Sequence, residues 1–199
     1  MSSVRVFACC VAFLCVMAAG VAISRASLAA AVAPAQESAA VPSAASIVKA
    51  HSFVSMEPVP RGKEFQVAVV AEIRSGYHVN SHKPSDEYLI ATTLTPQLPE
   101  GFKLVDTIYP AGRQQKFSFS PDKPLDVYTG SVTFKLRLVA EAGAAIGAVK
   151  IPAILRYQAC NDTTCLPPVK IPVELNVNVG AADTNGRALH PEIFAGAAK

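Results

Sequence analysis

Tyr157-Gln158-Ala159-Cys160-Asn161-Asp162-Thr163-Thr164-Cys165-Leu166-Pro167-Pro168 sets two cysteines between two runs of alternating polarity. Before it, Ile151, Ala153, Leu155 and Tyr157 alternate with Pro152, Ile154, Arg156 and Gln158. After it, Ile171, Val173, Leu175, Val177 and Val179 alternate with Pro172, Glu174, Asn176 and Asn178. A period of two marks a strand with one buried face. The residues between the cysteines, Asn161-Asp162-Thr163-Thr164, are turn formers whose side chains bond nearby backbone. The stretch therefore predicts a β-hairpin with a cysteine at each end of a four-residue loop.

Residues facing each other in an antiparallel pair have Cα atoms about 4.5 to 5.5 Å apart. A disulfide needs roughly 4.4 to 6.8 Å, so Cys160 and Cys165 can bridge without moving the backbone. The ring is short, and by chain entropy it is worth only about 2 kcal/mol. A staple placed for stability alone gains more from a longer loop, which tilts the pair toward chemistry and leaves a purely structural hairpin disulfide as the alternative. Pro167 and Pro168 donate no backbone N–H, so they predict a sheet edge or bulge just after Cys165 and an accessible Cys165 sulfur.

Working outward, the signal stays β. Phe65, Val67, Val69, Ala71 and Ile73 alternate with Gln66, Ala68, Val70, Glu72 and Arg74, and Val132, Phe134, Leu136 and Leu138 alternate with Thr133, Lys135, Arg137 and Val139. Phe102 and Leu104 predict a short strand that Thr107 to Tyr109 continues. Turn signals fall at Pro60-Arg61-Gly62, Pro99-Glu100-Gly101, Pro121-Asp122-Lys123-Pro124 and Thr129-Gly130. Ala140 to Ala148 reads as a connection, and no amphipathic helix of ordinary length stands out. Regularly spaced strands with turn signals predict an all-β sandwich.

The cysteine hairpin, Tyr-Gln-Ala-Cys-(four residues)-Cys-Leu-Pro-Pro, resembles the active-site hairpin of the N-terminal periplasmic domain of the thiol:disulfide interchange protein DsbD. The resemblance extends from about Ser52 to Val179. It takes in Gly76-Tyr77-His78-Val79-Asn80-Ser81, Tyr109-Pro110-Ala111-Gly112, Lys116-Phe117-Ser118-Phe119 and Val127-Tyr128-Thr129-Gly130. It implies an immunoglobulin-like β-sandwich with a redox-active pair and no cofactor. Cys165 would be the attacking cysteine, Cys160 the resolving one, and Tyr157, Pro167 and Pro168 the support of the hairpin. It further implies electrons arriving from a membrane-embedded partner and passing to thioredoxin-like periplasmic proteins, among them disulfide isomerases and factors of cytochrome c biogenesis. The chain shows neither the family's membrane segment nor its thioredoxin-like C-terminal domain, so the expectation is a separate membrane protein as donor, or a domain co-opted to another use. The family's best-studied pattern carries one more residue between its cysteines.

Other polar groups are weighed against this pair. The segment Tyr77 to Tyr88 is polar, aromatic-flanked and bounded by Pro84. By the resemblance it is a lid over the cysteines, with His78, Asn80, His82, Asp86, Glu87 and Tyr88 as its candidate residues; read from the residues alone it is a solvated inter-strand loop. His78 and His82 lack a third ligand for a metal. No Gly-x-Ser-x-Gly elbow and no phosphate-cradling glycine loop occurs. Asp162 beside the pair opposes thiolate formation, which Arg156 and Lys170 counter.

The 199 residues, 51% hydrophobic and 17% charged, suit one domain with a leader and tails. Met1 to Ala35 reads as a signal peptide: Arg5 gives the positive start, Val6 to Ile23 the apolar core, and Ala29, Ala31, Ala33 and Ala35 offer cleavage sites. An uncleaved membrane anchor is the alternative. Cys9, Cys10 and Cys15 fall in this leader, which leaves an even pair for an oxidising compartment. Residues 36–46 read as a flexible linker, 47–180 as the folded domain and 181–199 as a loose tail. The expected location is periplasmic or secreted. Removing the leader takes away Arg5 and Arg25 and no acid, leaving 16 basic residues against 15 acidic ones. No basic face stands out for nucleic acid, and contact with a membrane requires the leader to be retained.

Overall fold

The strands follow the alternation of the sequence, because a period-two apolar row is stable only when one face of each strand is covered. The computed structural model describes residues 42–194; the predicted leader and the start of the linker lie outside them. In chain order the strands are β1 (Val48–Val54), β2 (Met56–Glu57), β3 (Val59–Pro60), β4 (Glu64–Ile73), β5 (His78–Asn80), β6 (Thr93–Pro96), β7 (Phe102–Ile108), β8 (Arg113–Phe117), β9 (Ser120–Tyr128), β10 (Ser131–Ala140), β11 (Gly147–Tyr157), β12 (Ala159–Cys160), β13 (Val169–Gly180) and β14 (Arg187–Ala188). One helical turn, α1 (Pro191–Phe194), comes after them.

Two main sheets form an immunoglobulin-like sandwich. One has the order β1-β4-β10-β7, the other β3-β13-β11-β6. Their inner faces share one core, with Val67, Val69, Phe134, Leu136 and Leu138 from the first sheet and Ile151, Leu155, Leu175 and Val177 from the second. A smaller sheet, β12-β5-β9-β8, stands at the end of the sandwich where the cysteines lie. Tyr128 ties this sheet to the core: its ring packs edge-on against Phe134 and its hydroxyl donates to the Pro110 carbonyl at 2.8 Å.

The predicted strand starting at Phe102 forms as one element that ends at Ile108, one residue short of the expected Tyr109, with a bulge opposite Arg137 and Leu138. The turn expected at Pro121–Pro124 does not form there. Those residues belong to β9, and the chain reverses at Ser118–Phe119, between the paired residues Phe117 and Ser120. Pro121, Asp122 and Lys123 are exposed, and an exposed, irregularly paired strand accepts residues that donate no hydrogen bond.

Both boundaries of the folded region also move outward. Ala44–Ser46, expected in the linker, forms a 3₁₀ turn whose Ala44 carbonyl accepts from the buried Tyr157 hydroxyl at 2.8 Å. Residues 181–194, expected to hang loose, return to the sandwich. β14 pairs antiparallel with β2, the Leu189 amide donates to Ser55 O at 2.8 Å, and His190 packs edge-on against Phe53 with ring centroids 5.0 Å apart. The polar composition of this segment hid the docking, because backbone pairing and two ring contacts carry it rather than an apolar row.

Candidate functional site

β11 and β13 pair without interruption from Gly147↔Val179 to Tyr157↔Val169. Beyond that pair the chain leaves the sheet as an outgrowth, residues 158–168, and the cysteines sit on it. Ala159–Cys160 turns aside to pair with β5, Ala159 opposite Val79 and Cys160 opposite His78. Cys160 and Cys165 then face each other across an antiparallel bridge. The flanking bonds are Leu166 N–H to Ala159 O at 2.8 Å and Asn161 N–H to Thr164 O at 2.9 Å. That pattern makes the cysteines a non-hydrogen-bonded pair, the position where facing side chains come closest. They are joined as a disulfide, with Cα atoms 4.0 Å apart, nearer than the sequence geometry predicts.

The four residues between the sulfurs form the expected turn. Asn161 Oδ1 accepts from the Thr163 amide at 3.0 Å, the Thr164 amide at 2.8 Å and the Thr163 hydroxyl at 3.0 Å. A short amide side chain that takes up two backbone N–H groups holds the tip without help from the sheet. Pro167 and Pro168 are exposed and lie outside any strand. The two cysteines differ in surroundings: Cys160 is 1% exposed, whereas Cys165 belongs to the exposed surface.

The candidate lid residues fall into two groups. His78 and Asn80 lie in β5, against the cysteine outgrowth. Gly76 leads into that strand with φ +80°, a backbone state that favours glycine. Asn80 is buried and its Nδ2 donates to Ile90 O at 3.1 Å and to Gln158 Oε1 at 3.4 Å, tying β5 to the base of the outgrowth. His78 is buried, stacks on Phe117 at 4.0 Å between ring centroids, and has its Nε2 without a hydrogen-bond partner among the described residues. Burial lowers its pKa from 6.5 to about 4, against an opposing pull from the Asp162 carboxylate.

The second group makes its contacts elsewhere. His82 stacks on Tyr109 at 3.6 Å and its Nδ1 lies 3.1 Å from Thr92 O. Asp86 pairs with Lys123 at 3.0 Å, and the Tyr88 amide donates back to Asp86 Oδ1 at 3.2 Å. Glu87 and Tyr88 are exposed. Among the described residues no hydrogen bond or ion pair joins His82–Tyr88 to the cysteine turn.

The element that does reach the turn is the β8–β9 tip. Ser118 Oγ donates to Asp162 O at 2.8 Å, while Phe117 lies between His78 and Phe119, whose ring it stacks at 5.3 Å. The sequence signal for this tip was the run Lys116-Phe117-Ser118-Phe119, an aromatic pair around a small polar residue. The tightness of the neighbouring corner shows at Gly112, where a Cβ would stand 2.8 Å from the Ser81 Cβ.

The family model "Thiol:disulfide interchange protein DsbD, N-terminal" matches residues 44–176 of the chain. Among solved structures, the DsbD N-terminal domain of Neisseria meningitidis in its reduced form is similar at 16% identity and a TM-score of 0.44, over 75% of this chain and 94% of that one. The N-terminal periplasmic domain of ScsB from Proteus mirabilis is similar at 12% identity and a TM-score of 0.47, over 74% of this chain and 51% of that one. A comparison with curated proteins returns no match.

Proposed function

Because the chain belongs to the family of DsbD N-terminal domains, we propose that it is an exported thiol:disulfide exchange module that carries two electrons between other proteins through Cys160 and Cys165. The observation that carries this reading is the asymmetry of the pair: one cysteine in the exposed surface, the other buried behind it. Exchange proceeds by thiolate attack and a mixed disulfide. In the reduced domain, the Cys165 thiolate attacks one sulfur of a partner disulfide, and the partner's other sulfur leaves as a thiolate. Cys160, deprotonated, then attacks Cys165 Sγ and expels the partner's first sulfur. The domain ends with the Cys160–Cys165 bond, the partner with two thiols, and two electrons and two protons have crossed. The reverse sequence recharges the domain from a donor dithiol.

The family supports partners of the thioredoxin-like class, a membrane-embedded electron donor and a periplasmic location. No metal or organic cofactor enters the chemistry, since sulfur carries both electrons and protons.

Redox titration of the purified chain tests the proposal. Structural disulfides lie below about −300 mV, and exchange-active ones lie above. A Cys160→Ala chain is expected to form a stable mixed disulfide through Cys165 with a thioredoxin-like protein, visible by non-reducing gel and mass spectrometry, while Cys165→Ala traps none. A potential in the structural range, together with no trapped adduct, would leave the pair as a clasp in a binding domain.

A further inference from the structure

Thiol exchange through this pair leaves one step without chemistry. Cys160 must become a thiolate to resolve the mixed disulfide, yet it is 1% exposed. Burial disfavours the thiolate and raises a thiol pKa above its ordinary value of about 8.5. Water has little access to take the proton, so an adjacent side chain must do so.

The residue opposite Cys160 in the β12–β5 pair is His78. Facing side chains of an antiparallel pair have Cβ atoms about 4.5 to 5.5 Å apart on the same face of the sheet. The imidazole is held by its stack on Phe117, and its Nε2 is buried with no hydrogen-bond partner among the described residues. A buried polar nitrogen left unpaired is unfavourable, and here it belongs to the residue paired opposite the cysteine that must lose a proton. Resting on the exchange reading, we propose that His78 is the base that takes the Cys160 proton during resolution and the acid that returns it when the disulfide is reduced.

The step balances. The imidazole nitrogen takes the proton of the Cys160 thiol, and the sulfur gives an electron pair to Cys165 Sγ. The bond from Cys165 to the partner breaks, and the partner thiolate takes up a proton from the imidazolium or from water. In the oxidised domain the same burial keeps the imidazole neutral, with its pKa lowered to about 4. The Asp162 carboxylate is the charged group that pulls it upward. Reduction places a second proton-binding group against the ring, and the two then titrate as a coupled pair.

The experiment uses the full chain with Cys9→Ser, Cys10→Ser and Cys15→Ser, reduced and mixed with 5,5′-dithiobis(2-nitrobenzoate) in a stopped-flow instrument. The first thionitrobenzoate released reports attack by Cys165, and the second reports resolution by Cys160. In His78→Gln and His78→Phe the second phase is expected to slow at least about tenfold near neutral pH, with the first phase unchanged. The gap closes above about pH 10, where hydroxide ionises the thiol unaided. A loss equal at every pH, a loss shared by both phases, or no loss overturns the assignment and leaves exchange standing. Failure of the parent chain to show a second phase strikes the exchange reading instead. Should the variants not fold, the pH profile of the second phase in the parent chain decides: with a neutral imidazole as the base the rate stays level between about pH 6 and pH 8, and a rise of about tenfold per pH unit, the signature of a thiol ionised by hydroxide alone, overturns the proposal.

Discussion

At the scale of single residues, the cysteine end of the domain is defined by what is buried. Cys160 and His78 are packed away, while Cys165 and Asp162 belong to the exposed turn. The consequence for stability comes from His78. In the unfolded chain its imidazole protonates near pH 6.5, in the folded domain only near pH 4, because burial disfavours the cation. Between those values the unfolded state binds more protons, so stability falls as the pH falls. The contribution is complete above pH 6.5 and lost on the way down through pH 4. Urea unfolding of the oxidised protein is expected to lose about 2 to 3 kcal/mol from this residue between roughly pH 7 and pH 4.5. His78→Phe removes that part of the pH slope, and a variant with the parent slope would show that the imidazole is solvated. The family resemblance named His78 as a candidate lid residue over the cysteines, but its burial and its place opposite Cys160 follow only from the pairing of β5 with β12.

At the scale of elements, the hairpin was readable because its two signals reinforce each other. Ile151–Tyr157 and Ile171–Val179 alternate, and Asn161-Asp162-Thr163-Thr164 can close a turn through its own side chains. The β8–β9 tip was not readable as a turn, because Pro121–Pro124 carries the stronger local turn signal while tertiary pairing places those residues in a strand. The lid expected from Tyr77 to Tyr88 divides for a related reason. Loop contacts are set by what lies across the gap, and Asp86 finds Lys123 rather than the cysteine turn. The turn itself carries a prediction. Asn161 Oδ1 accepts two backbone amides and one hydroxyl, and these bonds hold closed the turn that keeps the two cysteines facing each other. Asn161→Ala removes the acceptor and frees the tip. Losing one cap-like set of bonds costs about 1 kcal/mol. Expressed on a two-electron couple this makes the potential less negative by about 20 mV, measurable by equilibration with glutathione or dithiothreitol. An unchanged potential would show that the outgrowth is held by its contacts to β5 and not by its own turn.

At the scale of the whole domain, both ends of the described region close back on the sandwich. Ala44 receives the Tyr157 hydroxyl at the root of the cysteine outgrowth, so the start of the folded region and the site share a residue in the core. The other end lies over the β1–β4–β10 sheet. There α1 and the residues before it meet Phe53 and Lys135: His190 packs on the Phe53 ring, and the Lys135 ammonium stands 5.7 Å from the Phe194 centroid while donating to Phe194 O at 3.4 Å. The segment has no periodicity in its sequence, and a tail that contributes one short pairing and two ring contacts leaves no trace in an apolar pattern. Its energetic role is nevertheless testable. Ile193 and Phe194 are half-buried, and fully burying one such side chain is worth about 1.5 to 3 kcal/mol. A chain ending at Gly180 is therefore expected to unfold at lower urea concentration, with a loss of about 1 to 3 kcal/mol. Its Cys160–Cys165 potential should stay at the parent value, because among the described residues no hydrogen bond or ring contact joins 181–194 to 158–168. A midpoint equal to the parent's would mean that the segment rests on the sheet without stabilising it. A shifted potential would mean that the tail biases the disulfide through the strands between them, without a direct contact.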